Sequence, residues 1–448
     1  MALTGIEIFK LLPKTNCKEC GDPTCLAFAM KLAAGKADLS ACPYVSEEAK
    51  AKLMEAAAPP ILPVTIGVGD RALKIGGETV MFRHEKRFEN PPGFALLISD
   101  SLDDTEIDRR LKRFNNLQYE RIGLILRGNL VAVRADSGDG ARFEAVVNKV
   151  TQNTDGGIIL MSDSPDTLAA GLGVSADRKP LLYAATEENL DKVAELAKEN
   201  SCPVAVKASS VEKLVELTTK LTNAGVKEMV IDSGSRNLRQ AFEDQVIIRS
   251  AALAKKFRPL GFPTIVFPAE MTDDPMKEAV IASIFVAKYG GIIVLSDFQG
   301  ESLFPLLVER LNIYTDPQRP LATKEGIYEI GSPNENSPVL ITSNFSLTYF
   351  IVSGEIETSR VPSWLLVKDT EGLSVVTAWA AGKFVADAIA PFVKKSGIAD
   401  KVKHHKLVIP GAAAAESGGL EEELPGWEIQ VGPREGSNIP AYLKAWKP

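Results

Sequence analysis

From Phe94 onward the chain repeats one unit: a short apolar run, then an amphipathic stretch with helical spacing. The runs are FALLISD (94–100), LVAVRAD (130–136), GIILMSD (157–163), PLLYAAT (180–186), PVAVKAS (203–209), EMVIDSG (228–234), PTIVFPA (263–269) and GIIVLSD (291–297). Between them, patterns such as TEENLDKVAELAKEN and VEKLVELTTKLTNAG return an apolar residue every three or four positions. Eight short buried strands alternating with helices predict a (β/α)8 TIM barrel over 93–319. Residues 61–92 alternate apolar and polar around Gly-Asp and Gly-Gly turns, which predicts a β-hairpin or meander; with a linker at Ala56-Ala57-Ala58-Pro59-Pro60 it forms a connecting segment, 58–92. From Pro320 to Pro448 the alternation restarts with VLITSNF (339–345), SWLLVKD (363–369), KLVIPGA (406–412) and WEIQVGP (427–433). Four or five such units predict an open, doubly wound, Rossmann-like parallel sheet over 320–448. Residues 1–57 read as a separate small unit with helices over 5–12 and 26–35 and an Ala-rich helical tail.

Composition removes some partners. The 448 residues, 45% hydrophobic and 24% charged, describe an ordinary globular protein of several domains. A net charge of −7 without any basic block argues against nucleic acid. No stretch of about 20 residues is apolar enough to span a bilayer, and MALTGIEIFKLLPK lacks the pattern of a secretory signal. A reducing cytoplasm is therefore expected, the more so because the cysteines read as free thiols.

Four of the five cysteines fall in the first 42 residues: Cys17, Cys20, Cys25 and Cys42, spaced C-x2-C-x4-C-x16-C. Thiolates gathered this closely hold a soft metal. Zinc sites show two knuckles of similar size, whereas this run is asymmetric and ends in Cys42-Pro43, as ferredoxin-like sequences arrange ligands for a 4Fe-4S cluster. Structural zinc is the other reading. A unit this small has little core, so the metal is expected to supply much of its folding free energy. Cys202, opening a strand in NSCPVAV, reads as a small buried apolar side chain.

At the carboxyl ends of the C-terminal strands the turns are rich in small residues: Thr342-Ser343-Asn344, Asp369-Thr370-Glu371-Gly372-Leu373-Ser374, Gly411-Ala412-Ala413-Ala414 and Gly432-Pro433-Arg434-Glu435-Gly436-Ser437. Ligands of open α/β sheets bind there. Neither G-x-G-x-x-G after the first strand nor G-x-x-x-x-G-K-[ST] is present, so a large, flat, mainly backbone-bound ligand with a phosphate in its tail fits better than a dinucleotide or nucleoside triphosphate. The barrel strands end in Asp100, Asp136, Asp163, Ser209, Asp232 and Asp297, which are expected to cap the following helices rather than catalyse.

KTNCKECGDPTCLAFAMKLAAGKADLSACPY resembles the 4Fe-4S module of corrinoid iron–sulfur proteins, and NENSPVLITSNFSLTYF, DTEGLSVVTAWAAGKF, HHKLVIPGA and GWEIQVGPRE resemble that family's large subunit, end to end. The resemblance implies a methyl carrier of the anaerobic acetyl-CoA pathway, formed with a small subunit and holding a cobamide. Cob(I)amide would take a methyl group from methyl-tetrahydrofolate on a separate methyltransferase and deliver it to the nickel site of acetyl-CoA synthase/CO dehydrogenase. It further implies that Cys17, Cys20, Cys25 and Cys42 hold the cluster, which reactivates Co(II) with electrons from a low-potential donor. The cobamide contacts would be Thr342, Ser343, Asn344 and Thr348; Gly372, Leu373, Ser374, Val375, Val376 and Thr377; Gly411; and Gly432, Arg434 and Gly436. Residues 320–448 would then be a corrinoid-binding domain. Many cobamide proteins offer a D-x-H-x-x-G histidine to cobalt, but His84, His404 and His405 lie outside any such motif, so base-off binding without a protein histidine is expected. An electron-transfer subunit with flavin on the C-terminal sheet is the competing reading.

Overall fold

The computed structural model describes residues 4–33, 36–121, 123–316 and 321–448. Positions 34 and 35 of the expected 26–35 helix, and the expected boundary at 319/320, lie outside them. The chain divides into two compact units. The first takes residues up to 81, 89–108 and 129–297; the second takes 82–88, 109–128 and 298 onward.

In the first unit, eight parallel strands follow one another in chain order: Gly93–Ser99, Leu130–Arg134, Gly157–Met161, Leu181–Ala185, Val204–Lys207, Met229–Asp232, Ile265–Val266 and Ile292–Leu295. Ile292–Leu295 pairs back onto Gly93–Ser99, and a bridge between Ile231 and Thr264 joins the remaining edges, so the sheet closes as a barrel. The predicted hairpin is present as Val64–Ile66 against Leu73–Ile75. Its Val64, Ile66, Leu73 and Ile75 share one core with the inward-facing Ala95, Leu130, Ile159, Val230 and Ile292, so it plugs the barrel's amino-terminal end. Gly93 makes room for the plug, since a Cβ there would stand 2.3 Å from Leu73 Cδ2. The segment read as a linker is held in place at its end: the helix Glu47–Ala57 runs through its first two residues, and the Arg258 guanidinium donates to the carbonyls of Ala58 and Pro59.

The helix caps depart from expectation. None of Asp100, Asp136, Asp163, Ser209, Asp232 and Asp297 occupies the cap position of the next helix, because the strand-to-helix loops place that position one to several residues further on. Asp139, Ser164, Ser210 and Asn237 cap instead, each accepting a backbone N–H of the first turn.

In the second unit the sheet runs Gly326–Ile330, Ser363–Lys368, Val339–Ser343, Lys406–Ile409, Glu428–Val431. Four strands are parallel, but Gly326–Ile330 is antiparallel to Ser363–Lys368, which makes the sheet mixed rather than purely parallel as expected. Its residues are mostly half-buried or exposed, which suits an edge strand, and they lack the long apolar run that marks the others. Both faces are covered. Ile341, Leu366 and Leu407 pack with Ala378, Ile389 and Leu420 on one side; Leu340, Leu365 and Val408 pack with Ile356, Ile439 and Leu443 on the other. A second hairpin, Gln118–Arg121 against Leu124–Arg127, was not foreseen. Among the described residues, no helix is long and apolar enough to cross a membrane.

Candidate functional site

The N-terminal unit is built around a loop that leaves helix Gly5–Leu11 and enters helix Cys25–Ala33. Lys14, Asn16, Lys18 and Gly21 all take positive φ there, coiling the loop tightly. Asn16 ties the coil to the second helix: its Oδ1 accepts the Cys25 N–H at 2.9 Å, and its own N–H donates to Cys25 Sγ at 3.4 Å. Cys42 follows the short turn Leu39–Ala41 and returns to the same small core, where Cys20, Cys25 and Cys42 pack with Ile8, Phe28 and Leu53. Cys17 and Cys42 both lie close enough to Tyr44 to act on its phenol, whose pKa is raised chiefly by its hydrogen bond to Glu19 at 2.8 Å. All five thiols are free. As placed, no three His, Cys, Asp or Glu side chains among the described residues stand close enough to hold a metal ion. The donor set itself fits an iron–sulfur cluster: four thiols on one coiled loop and one return, with a backbone N–H already aimed at a sulfur.

The C-terminal sheet supplies the second site. Connections leave Val339–Ser343 toward Ser363–Lys368 on one side, while Lys406–Ile409 lies on the other. The carboxyl ends of these two strands therefore flank a topological switch point, where a crevice opens. A cavity of about 260 Å³ lies there, walled by Leu340, Thr342, Val408 and Ile409 from the strands, Pro410 just past the second of them, Thr348, Ile351 and Val352 from helix Ser346–Ser359, and Ile439 from helix Ile439–Ala445. Ser374, Val375, Val376, Gly432, Arg434 and Gly436 complete its rim. The Thr342 and Ser343 hydroxyls are buried and have no hydrogen-bond partner among the described residues. Strand alternation sends only Thr342 toward the cleft.

Of the expected contacts, Thr342, Thr348, Ser374, Val375, Val376, Gly432, Arg434 and Gly436 line the cleft, whereas Ser343, Asn344, Gly372, Leu373, Thr377 and Gly411 do not. Five of these six have other work in the structure as it stands; Ser343 is buried on the opposite face of its strand. Asn344 Oδ1 accepts from the N–H groups of Thr370 and Gly372, both at 3.0 Å, and its amide donates to Asp369 at 2.8 Å, so it locks the 369–374 turn. Gly411 lets two turns touch: a Cβ there would meet the Gly432 carbonyl at 2.6 Å and the Arg434 nitrogen at 2.8 Å. Leu373 packs into the core, and Thr377 shares a 3.0 Å hydroxyl contact with Ser374. The apolar wall was missed because Leu340, Val352, Val408 and Ile439 read in sequence as ordinary core. His404 and His405 precede strand Lys406–Ile409, at its end away from the cleft; His404 is held by the Ser337 carbonyl at 3.0 Å, and His405 lies edge-on to Trp427.

At the barrel mouth the strand-end charges are matched to one another. Arg236 makes a two-pronged pair with Asp232 at 2.8 and 3.1 Å, also pairs with Glu270, and lies over the Phe267 ring. Arg134 bridges Glu270 and Asp136. Tyr183 donates to Asp232 at 2.6 Å; burial first, then the Asp232 charge, holds this phenol well above its usual pKa, so it stays a donor. Asp100 accepts from the Asp136 and Ser137 N–H groups and the Ser137 hydroxyl, all at 2.7 Å.

A thiol-bearing N-terminal module, a closed α/β barrel and a doubly wound domain with a cleft at its switch point define a multidomain cofactor carrier. The chain belongs to the CO dehydrogenase/acetyl-CoA synthase delta subunit family, whose model matches residues 63–443, and an Fe-S cluster model matches 12–44, the span of all four clustered cysteines. It is 48% identical over 445 residues to the corrinoid/iron-sulfur protein large subunit of Moorella thermoacetica, covering 99% of each chain. It is 38% identical over 454 residues to the acetyl-CoA decarbonylase/synthase complex subunit gamma of Methanopyrus kandleri, covering 99% of this chain and 97% of that one. The corresponding subunit of Archaeoglobus fulgidus is 37% identical over 464 residues, with 99% and 98% covered. A flavin-holding electron carrier is not favoured by this kinship.

Proposed function

We propose that the chain is the large subunit of a corrinoid methyl carrier in acetyl-CoA metabolism. It would work with a small subunit between a methyl-tetrahydrofolate methyltransferase and acetyl-CoA synthase/CO dehydrogenase, recharged by a low-potential electron donor in a reducing cytoplasm. The observation that carries the reading is the cleft at the switch point, apolar inside, with a buried hydroxyl on its wall that has no hydrogen-bond partner among the described residues. The cobamide, when bound, supplies a cobalt centre able to accept and release a methyl group, and the cluster supplies electrons at low potential.

The chain's own residues hold and shield these groups. Cys17, Cys20, Cys25 and Cys42 would ligate the cluster. Thr342 and the apolar wall would hold the ligand's tail. Ser374 and Val376, kept at the rim by the Asn344-locked turn, would face the macrocycle. The exposed apolar side chains Leu347, Ile351, Val376 and Trp379 offer a flat ring somewhere to rest outside a cavity too small to contain it. Arg434 is the charged side chain among the lining residues, and with no carboxylate there the cleft tolerates a phosphate.

Two measurements test the reading. Cys20→Ala should abolish the cluster's absorption and the reductive recovery of Co(II) while corrinoid content is kept; retention of an intact cluster would remove Cys20 as a ligand. Electron paramagnetic resonance of the Co(II) protein should show cobalt lines without nitrogen triplets, because neither His404 nor His405 reaches the cleft. Triplets that vanish in His404→Ala or His405→Ala would overturn base-off, histidine-free binding.

A further inference from the structure

We infer that the cleft selects its corrinoid by the lower base of the nucleotide tail, accepting benzimidazole-type bases and disfavouring purines, with Thr342 as the residue that reads the base. This rests on the cobamide reading above and deepens it.

At about 260 Å³ the cavity lies just below the range of whole-ligand clefts, which starts at about 300 Å³, and suits a part of a ligand such as a bicyclic ring with its sugar. Its inner wall is Leu340, Val352, Val408 and Ile439, side chains that also belong to the packed face of the sheet. Thr342 is the polar side chain of this wall; it is 1% exposed, and its hydroxyl is without a partner. The remaining polar groups stand at the rim: Ser374 is engaged with Thr377, Thr348 is half-buried and Arg434 is exposed. The interior therefore offers one side-chain hydroxyl among apolar surfaces.

A benzimidazole detached from cobalt presents one free ring acceptor, which one hydroxyl satisfies. An adenine presents several ring acceptors and an amino group with two N–H donors. One hydroxyl leaves most of these dry, and an unsatisfied buried polar group is penalised far more than a satisfied one is rewarded. A phenolic base has no ring nitrogen, so it fits the apolar wall but leaves the Thr342 hydroxyl without a partner.

The test uses the two-subunit protein freed of corrinoid, titrated separately with cobinamide and with benzimidazolyl, phenolyl and adeninyl cobamides, with Kd read from the visible spectrum. The benzimidazolyl form should bind tightest and the adeninyl form about 100-fold more weakly. Thr342→Val should weaken the benzimidazolyl form about tenfold and leave the phenolyl form unchanged, and Thr342→Ser, which keeps the hydroxyl, should restore the wild-type order. If Thr342→Val lowers the melting temperature, the ranking of the four corrinoids on the unaltered protein decides. Equal binding of adeninyl and benzimidazolyl cobamides, both far tighter than cobinamide, would overturn the selectivity and leave the cobamide reading standing. Cobinamide binding as tightly as the complete cobamides would overturn both.

Discussion

The carboxyl ends of the eight barrel strands and the carboxyl ends of the C-terminal sheet are both places where α/β proteins bind ligands, yet they are finished differently. At the barrel mouth Asp232, Arg236, Glu270, Arg134 and Asp136 satisfy one another, and Tyr183 and Asp100 have donors or acceptors of their own. In the C-terminal sheet the strand Val339–Ser343 ends in two buried hydroxyls without partners, beside an apolar cavity. Charges that complete one another hold loops in place and leave little for a substrate to replace. A buried hydroxyl left without a partner is a cost the isolated chain bears, which a bound group can remove. The difference is what the proposed division of labour predicts, with the barrel as scaffold and the C-terminal sheet as binding site.

Filling the cleft should have the largest effect. Thr348→Trp places a bulky ring in the cavity and should weaken corrinoid binding by at least about 100-fold, with the thermal midpoint within a degree or two of wild type, because no core contact is lost. Normal cobalt content in this variant would mean that the cofactor sits elsewhere.

The opposite dissociation is expected at the barrel mouth. Asp232→Ala leaves Arg236 half-buried with one partner fewer and removes the acceptor of Tyr183, costing about 3 kcal/mol in denaturant unfolding while cobalt content stays normal. A large loss of methyl transfer with stability unchanged would make the barrel a catalyst. A smaller cost, about 1–2 kcal/mol, is expected for Asp100→Asn, which keeps one oxygen acceptor for the 136–137 backbone.

The smallest effect separates partner-poor groups that mark a ligand from those that do not. Glu309, on helix Gly300–Ile313 and outside the cleft lining, is pushed up to about 7 by burial alone. With the folded pKa above the unfolded one, the folded state binds more protons between the two values. Stability is therefore full below about pH 4.5 and falls as pH rises toward 7. Glu309→Gln should abolish that slope and stabilise the protein above pH 7 by about 1 kcal/mol, a value discounted for partial exposure. Corrinoid affinity should not move; a change would tie Glu309 to the cleft.

Much of the architecture was legible in the order of residues. The eight barrel strands sit on the eight apolar runs, because a strand buried on both faces must be apolar throughout. Gly326–Ile330 and the Gln118–Arg127 hairpin escaped notice for the converse reason: edge and surface strands carry mixed residues that resemble loop. The helix caps fell one to several positions beyond the strand-end acids because loop length, which local composition does not specify, decides where a helix starts.

By itself the sequence determined the grouping of four thiols in one short segment, the periods that make strands and helices, and the small residues of the turns at the strand ends. Each is a local property, set by residue type and spacing. Only the tertiary structure decided that Leu340, Val352, Val408 and Ile439, from four separate elements, form one wall, and that the Thr342 hydroxyl beside them goes without a partner. It also decided that Arg134, Tyr183, Asp232, Arg236 and Glu270 meet and satisfy one another. Whether a polar group is satisfied depends on neighbours that the order of strands brings together, and that order is a property of the whole fold.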